Sequence, residues 1–176
     1  MNRACASSVY DDLSDNGKVC PDPSQRNVLE QLDHLADQLI LRKVWSGKRQ
    51  SLFRRQSWES PERGLYLWGG VGRGKTFLMD LFVDSLPERT AIRLHFHRFM
   101  KRVHEHLAEL QGSENPLEMV ADELARSGKV LCLDEFFVSD ITDAMVLGTL
   151  FDGMFRRGMA LVTTSNIEPE LSLIHI

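Results

Sequence analysis

The sequence lacks any apolar run long enough to cross a membrane as a helix. Its first residues, MNRACASSVYDD, have no apolar core of the secretory-signal kind and become acidic early. The net charge of −4 argues against a protein that binds polyanions over its whole surface. The three cysteines are an odd number without metal-ligand spacing, which favours a reducing compartment. These absences predict a cytoplasmic protein.

The segment GGVGRGKT at residues 69–76 fits the pattern G-x-x-x-x-G-K-[ST] and lies between two apolar runs. A strand, a glycine-rich loop and a helix are therefore expected. Glycines let a loop wrap a phosphate closely, and the start of a helix presents unpaired N–H groups to the anion. The ammonium of Lys75 can reach the β- and γ-phosphates, and the hydroxyl of Thr76 can hold Mg²⁺. An ordinary glycine turn is the alternative, which the strand–loop–helix context disfavours. The predicted nucleotide-binding residues are Gly69, Gly70, Val71, Gly72, Arg73, Gly74, Lys75, Thr76 and Phe77.

Apolar periodicity along the rest of the chain alternates between strand and helix patterns. The predicted strands are 64–68, 91–97, 130–133 and 159–163. The predicted helices are 25–41 with Ser24 as its cap, one from the glycine loop to about 86, 98–111, 117–126, and 141–157 with Ser139 or Asp140 as its cap. Strands that alternate with helices predict an α/β fold with a parallel sheet.

Two carboxylates, Asp134 and Glu135, follow the continuous apolar run VLCL, which is typical of a strand buried on both faces. Carboxylates at the end of such a strand are costly unless they have a partner. We expect Asp134 to hold Mg²⁺, directly or through water, and Glu135 to orient and deprotonate an attacking water. Asn166, after the next predicted strand, is placed to hydrogen-bond that water or the γ-phosphate. Lys75, Glu135 and Asn166 are thus the predicted catalytic residues, and ordinary turn residues are the alternative for Glu135 and Asn166.

Residues 42–63 combine six arginines and lysines with three aromatic side chains between 42 and 58. Such a mixture can bind single-stranded nucleic acid or an acidic protein surface. A solvated linker whose aromatic side chains pack on the domain is the alternative that we favour, because the periodicity is poor. The polar residues 1–23 before it are predicted to form a mobile or loosely held arm.

Four histidines fall in two close pairs, His95 with His97 and His104 with His106. A His-x-His pair on a strand places both rings on one face, where they could bind a metal. Since no third and fourth ligand lies nearby in the sequence, we expect structural or surface histidines instead.

The segments GLYLWGGVGRGKTFLMDLF, RLHFHRFMKRVHEHL, ENPLE, VLCLDEFFVSDITDAM and LVTTSNI together resemble the ZapE-type AAA+ ATPases of bacteria and the related mitochondrial AFG family. The resemblance runs from about residue 28 to 170. It implies a three-layer α/β/α P-loop fold with a parallel sheet, preceded by an N-terminal helix. It further implies that 69–76 is Walker A, that Asp134 and Glu135 form Walker B, and that Asn166 is sensor 1.

The same resemblance implies ATP hydrolysis with Mg²⁺, coupled to a partner protein. In bacteria this partner would be the cell-division protein FtsZ, and in mitochondria the process would be quality control of inner-membrane proteins. The full-length protein is expected to be a homo-oligomer, without an integral membrane segment and without a nucleic-acid partner.

The carboxyl end departs from the family, which continues past sensor 1 with a fifth strand and an arginine finger. The final residues, LSLIHI, match the translation of a transposase adapter used in sequencing libraries. We therefore expect an N-terminal arm at 1–23, a helix and basic linker at 24–63, a partial AAA+ core at 64–170 and a non-native tail at 171–176. Resequencing the locus tests the tail.

In the AAA+ strand order 5-1-4-3-2 the absence of a fifth strand would leave the first strand at an exposed edge of the sheet. This chain is therefore expected to fold poorly or to bind nucleotide weakly.

Three rival functions stay open at this point. A P-loop kinase would need a lid over its acceptor, and none is visible in the helices after His97. A DNA-associated ATPase of the helicase-loader kind would rely on the basic stretch 42–55 and would bind DNA in a salt-dependent way. A non-catalytic binding fragment is the third. The carboxylate pair and Asn166 favour water as the acceptor, and therefore an ATPase.

Overall fold

The protein is described here by a computed structural model, which defines residues 4–46 and 63–168. The chain divides into two units. The first contains the residues up to 62 and residues 77–87, and the second contains residues 63–76 and the residues from 88 onward. The basic stretch between 47 and 62 and the tail at 171–176 lie outside the described residues. Within the described part, no helix is both long and apolar enough to span a bilayer.

The first unit contains a helix that the sequence analysis missed, α1 (Ala6–Asp15), inside the segment predicted as an arm. Its first two N–H groups, at Ala6 and Ser7, donate to the carboxylate of Asp33 at 2.8 and 3.1 Å. The Tyr10 side chain is 2% exposed, and its hydroxyl donates to the Gln25 side chain at 3.1 Å. Because the cap comes from a residue far along the chain, no local capping signal marks where this helix begins.

The second helix, α2 (Pro23–Ser46), begins two residues before the predicted start and ends five residues after the predicted end. Asp22, and not Ser24, supplies the cap, since the carboxylate of Asp22 accepts from the Ser24 N–H at 2.8 Å. Four leucines on one face of this helix are buried. They are Leu29, Leu32, Leu35 and Leu39. The helix α3 (Lys75–Ser85) follows the glycine loop, and its residues from Phe77 onward belong to this unit.

The second unit is built on four strands, β1 (Gly64–Trp68), β2 (Ala91–His95), β3 (Val130–Asp134) and β4 (Ala160–Ser165). All neighbouring pairs are parallel, and the order is β1-β4-β3-β2. Every residue of β3 is buried, as its continuous apolar run predicted for a strand covered on both faces. Every residue of β4 is buried as well. The predicted α/β fold with a parallel sheet is confirmed, and β1 lies at one end of the sheet as far as the described residues show.

Three further helices belong to this unit, α4 (Phe96–Glu109), α5 (Pro116–Ser127) and α6 (Ile141–Arg156). Their buried faces share one apolar cluster with the side chains of Leu131 and Leu133. The strand predicted over 91–97 ends at His95, and α4 begins two residues before its predicted start. Phe96 explains the error, because a buried aromatic at this position suits an alternating strand and the first turn of a helix equally well.

Of the two predicted caps of α6, the structure selects Asp140. Its carboxylate accepts from the N–H groups of Thr142 at 2.6 Å and Asp143 at 3.4 Å. The hydrogen bonds from Thr142, followed by that from Asp143, hold the pKa of Asp140 below its ordinary value of 3.8. This cap starts the helix that follows the acidic end of β3.

Replacing Asp140 with alanine is expected to lower the melting temperature by roughly 2–4 °C, because the two N–H groups lose their acceptor. Since the pKa is lowered in the folded state, this stabilisation is present above the unfolded pKa and is lost as the pH falls through the folded pKa. Thermal melts of the two proteins should therefore converge in acid. Asp140→Asn is the control that keeps the cap without titrating. Equal melting temperatures at neutral pH for the alanine variant and the parent would contradict the prediction.

Candidate nucleotide site

The carboxyl ends of the four strands form one edge of the sheet. Strand register pairs Trp68 with Ser165 and His95 with Asp134. Because Leu133 pairs with Thr163, these two pairs end their strands within one residue of the same level. The glycine loop therefore follows β1 at this edge, the acidic pair lies at the end of β3, and Asn166 follows β4 between them. The structure thus places the sequence-predicted residues at the edge where ligands bind in open α/β sheets.

The loop between β1 and α3 contains glycines in the left-handed backbone region, as expected for a phosphate-binding loop. Gly72 and Gly74 have φ angles of 81° and 79°, which side chains rarely tolerate. The ammonium of Lys75 donates to the carbonyl oxygens of Gly69 at 2.7 Å and Gly70 at 2.9 Å. An ammonium has three N–H donors, so one donor remains for a ligand oxygen after these two contacts. The loop itself thus holds the Lys75 ammonium over its own backbone.

The remaining predicted loop residues differ in their surroundings. Val71 is 87% exposed, and Gly70, Gly72 and Arg73 are exposed as well. Thr76 is exposed at the first turn of α3, where N–H groups have no partner within the helix. The ring of Phe77 lies 6.4 Å from that of Tyr10 within the first unit, so its side chain packs on α1.

Asp134 ends β3 as a buried carboxylate, with the residue 6% exposed. Its Oδ2 accepts from Nε of Arg93 at 2.8 Å. Among the described residues, its Oδ1 has no hydrogen-bond partner although it is buried. A buried carboxylate oxygen without a donor is costly, and an oxygen ligand of this type suits Mg²⁺ or a water bound to it. Asp134 therefore fits a magnesium ion, with Oδ1 as the available oxygen.

Glu135 follows Asp134 and is exposed, and its backbone lies in the left-handed region with φ at 58°. Its N–H donates to the hydroxyl of Thr164 at 3.1 Å, and the next N–H, of Phe136, donates to the carbonyl of Thr164 at 2.7 Å. A side chain at positive φ costs about 1–2 kcal/mol, so these contacts with β4 support an unfavourable conformation.

Asn166 is exposed immediately after β4, between two residues whose positions are fixed by hydrogen bonds. The hydroxyl of Ser165 donates to the carbonyl of Phe136 at 2.8 Å and accepts from the Ile167 N–H at 3.1 Å. The hydroxyl of Tyr66 donates to the carbonyl of Ile167 at 3.0 Å. Strands β1 and β3 therefore both hold the turn that carries Asn166.

The sequence analysis did not single out Arg93 or Thr164 as site residues. Arg93 occupies a polar position of a strand that alternates apolar and polar residues, so the pattern alone predicts a solvent-facing side chain. Nothing local identified its partner, because Asp134 lies 41 residues further along. Thr164 lies one residue beyond the predicted end of its strand at 163, and its role depends on the register between β3 and β4.

Replacing Arg93 with glutamine should destabilise the fold by roughly 2–4 kcal/mol, because a buried carboxylate loses a charged partner. The lower part of that range applies, since the Arg93 side chain is still 26% exposed. Urea denaturation measures the effect. Lys101→Gln is the control, as it breaks only an exposed pair with Glu105 at 3.8 Å and should cost far less. Equal midpoints for the two variants would show that the pair with Asp134 contributes little.

The four histidines lie near this edge and on α4. The rings of His95 and His97 stack with centroids 6.0 Å apart, and Nε2 of His104 lies 2.8 Å from the carboxylate of Asp143. Within the described ranges, no group of three histidine, cysteine or acidic side chains is arranged to hold a metal ion.

A parallel sheet in this order, with a glycine loop after β1 and an acidic pair at the end of β3, is typical of a P-loop nucleotide-binding protein. The family model described as AFG1-like ATPase matches residues 5–173. The chain belongs to the AFG1-like ATPase family, and the resemblance found in the sequence is confirmed.

Two curated relatives and one solved structure illustrate this similarity. Cell division protein ZapE of Escherichia coli strain K12 is 46% identical over 185 residues, covering 97% of this chain and 48% of that protein. Lactation elevated protein 1 homolog B of Danio rerio is 39% identical over 136 residues, covering 71% of this chain and 27% of that protein. The structure of AMPPCP-bound DnaA from Aquifex aeolicus has a TM-score of 0.58 at 17% identity, over 88% of this chain and 42% of that one. The similarity to DnaA, at this low sequence identity, concerns the fold alone. The chain spans about half the length of the ZapE protein that it matches.

Proposed function

We propose that this protein binds ATP at the glycine loop and hydrolyses it. The observation that supports this most directly is the meeting of three elements at one sheet edge: the loop that carries Lys75, the acidic pair of β3, and the turn after β4. Membership of the AFG1-like ATPase family agrees with it. The edge supplies cationic and N–H donors for phosphate on one side of β4 and carboxylates on the other.

Each predicted residue then has a defined task. The residues 69–77 wrap the triphosphate, and the free N–H of the Lys75 ammonium binds the β- and γ-phosphate oxygens. Thr76 and Asp134 would hold Mg²⁺, which when bound neutralises charge on the phosphates. Glu135 accepts a proton from the water that attacks the γ-phosphorus in line, and the P–O bond to the β-phosphate breaks. The Asn166 amide hydrogen-bonds the attacking water or a γ-phosphate oxygen.

The test is product analysis with purified full-length protein, ATP and Mg²⁺. Release of free phosphate and ADP without any added acceptor supports hydrolysis. Phosphate that appears only on an added small molecule would instead establish a kinase, the closest rival on this scaffold. The absence of ATP turnover under conditions in which nucleotide binds would overturn the proposal.

We further propose a role in cell division, supported by the name of the Escherichia coli relative. FtsZ is the partner that the sequence resemblance implies, and a cytoplasmic homo-oligomer of the full-length protein is the form we expect to act on it. The region 64–170 would form the ATPase core, and 24–63 would connect it to the N-terminal part. Nucleotide-dependent co-sedimentation with FtsZ polymers tests the partner, and its absence would exclude FtsZ.

A further inference from the structure

The backbone turns sharply at Glu135, where β3 leaves the sheet. The last register pair between β3 and β4 joins Leu133 to Thr163. Two residues later the chain enters the left-handed region, with φ of 58° at Glu135. The N–H of Glu135 then meets a side-chain oxygen of β4 and no longer a main-chain carbonyl. A side chain thus takes the place of the strand ladder at the residue proposed to activate water.

We propose that Thr164 is a positioning residue for Glu135, an inference that rests on the proposed ATP hydrolysis. The Thr164 hydroxyl accepts from the Glu135 N–H at 3.1 Å, and its carbonyl accepts from the Phe136 N–H at 2.7 Å. These two contacts hold both sides of the strained residue to one point of β4. The φ angle of Glu135 sets the direction in which its side chain leaves the backbone. Because the Thr164 hydroxyl holds this backbone conformation, it also determines where the Glu135 carboxylate lies relative to the γ-phosphate.

Ser165 reinforces this arrangement from the next position. Its hydroxyl donates to the carbonyl of Phe136, which closes a second link between the turn and β4. Both Thr164 and Ser165 are buried, at 3% and 2% exposure, so the β4 side of these hydrogen bonds is shielded from water. The strand that carries Asn166 therefore also determines the conformation of Glu135.

Thr163 supplies a matched comparison on the same strand. It is also a buried threonine, at 2% exposure. In the described part of the chain, however, its hydroxyl oxygen has no hydrogen-bond partner. Replacing either threonine with valine keeps the shape and the β-branched backbone preference, and only at position 164 does it remove an acceptor from Glu135.

The experiment compares Thr164→Val, Thr164→Ser and Thr163→Val in the full-length protein, with ATP and Mg²⁺. We expect Thr164→Val to lower kcat about tenfold or more, because a misplaced catalytic group loses transition-state stabilisation. The KM and the affinity for a fluorescent ATP analogue should stay within about twofold, since the glycine loop is untouched. Thr164→Ser should restore most of kcat because it keeps the hydroxyl, and Thr163→Val should behave like the parent.

A second measurement uses the Glu135→Gln background, where adding Thr164→Val should cause no further loss of turnover, because both changes act through one group. Hydrogen exchange of the Glu135 amide tests the hydrogen bond directly, without depending on turnover. We expect this amide to exchange faster in Thr164→Val than in Thr163→Val. Equal kcat for the two valine variants in a protein that hydrolyses ATP would overturn the positioning role. A parent protein that binds ATP and releases no phosphate would instead overturn the proposed function.

Discussion

Lys75→Ala is expected to weaken ATP binding roughly ten- to a hundredfold. The Lys75 ammonium lies over the loop, held by the carbonyls of Gly69 and Gly70 at 2.7 and 2.9 Å. Its contact with phosphate is a charge-assisted hydrogen bond, worth roughly 1.5–3 kcal/mol for each phosphate oxygen reached. One such contact, from the N–H that the two loop carbonyls leave free, corresponds to about one to two orders of magnitude in the dissociation constant. Titration with a fluorescent ATP analogue in the presence of Mg²⁺ measures the loss.

The control is Lys101→Ala, which removes an equal charge from an exposed position of α4, paired only loosely with Glu105. Its nucleotide affinity should match that of the parent. A thermal melt of Lys75→Ala separates loss of binding from loss of the fold, since the two hydrogen bonds to the loop also disappear. If a folded Lys75→Ala variant bound ATP as tightly as Lys101→Ala does, the glycine loop would not be the phosphate site.

The parts of the fold that could be predicted are those in which the local pattern and the packing agree. The run VLCL gave β3 almost to the residue, because a strand buried on both faces needs apolar side chains throughout. The arm predicted at the N-terminus is in part α1, which depends on Asp33 for its cap. That contact joins residues 27 apart, and a local pattern cannot show it.

The residues of the candidate site also divide into those that a local pattern identifies and those that depend on contacts between distant parts of the chain. Glycine loop, lysine and acidic pair could be found from the sequence, because phosphate and Mg²⁺ demand those residue types at fixed spacing. The partners that hold Asp134 and Glu135 could not, since Arg93 and Thr164 reach them only through the register of neighbouring strands. The residues expected to act on the ligand were thus recognisable, while the residues that orient them required the structure.

Glu135→Gln is expected to retain nucleotide binding and to reduce ATP turnover by roughly a hundredfold to ten-thousandfold. The amide has the same shape as the carboxylate, so the left-handed backbone and the hydrogen bond to Thr164 should persist. It cannot accept a proton from water at neutral pH, and the attack on the γ-phosphorus therefore loses its base. Steady-state phosphate release gives the turnover, and titration with the fluorescent analogue gives the affinity.

Glu105→Gln is the matched control, because this exposed carboxylate of α4 pairs only with Lys101, at 3.8 Å, within the part of the chain that the structure describes. It should leave turnover and affinity unchanged. The contrast with Lys75→Ala is informative, since that variant should lose binding whereas Glu135→Gln should lose only the chemical step. If Glu135→Gln released phosphate at the rate of Glu105→Gln, the proton would have to go to another group. The buried Asp134 would then be the first to test, because its Oδ1 has no donor among the described residues.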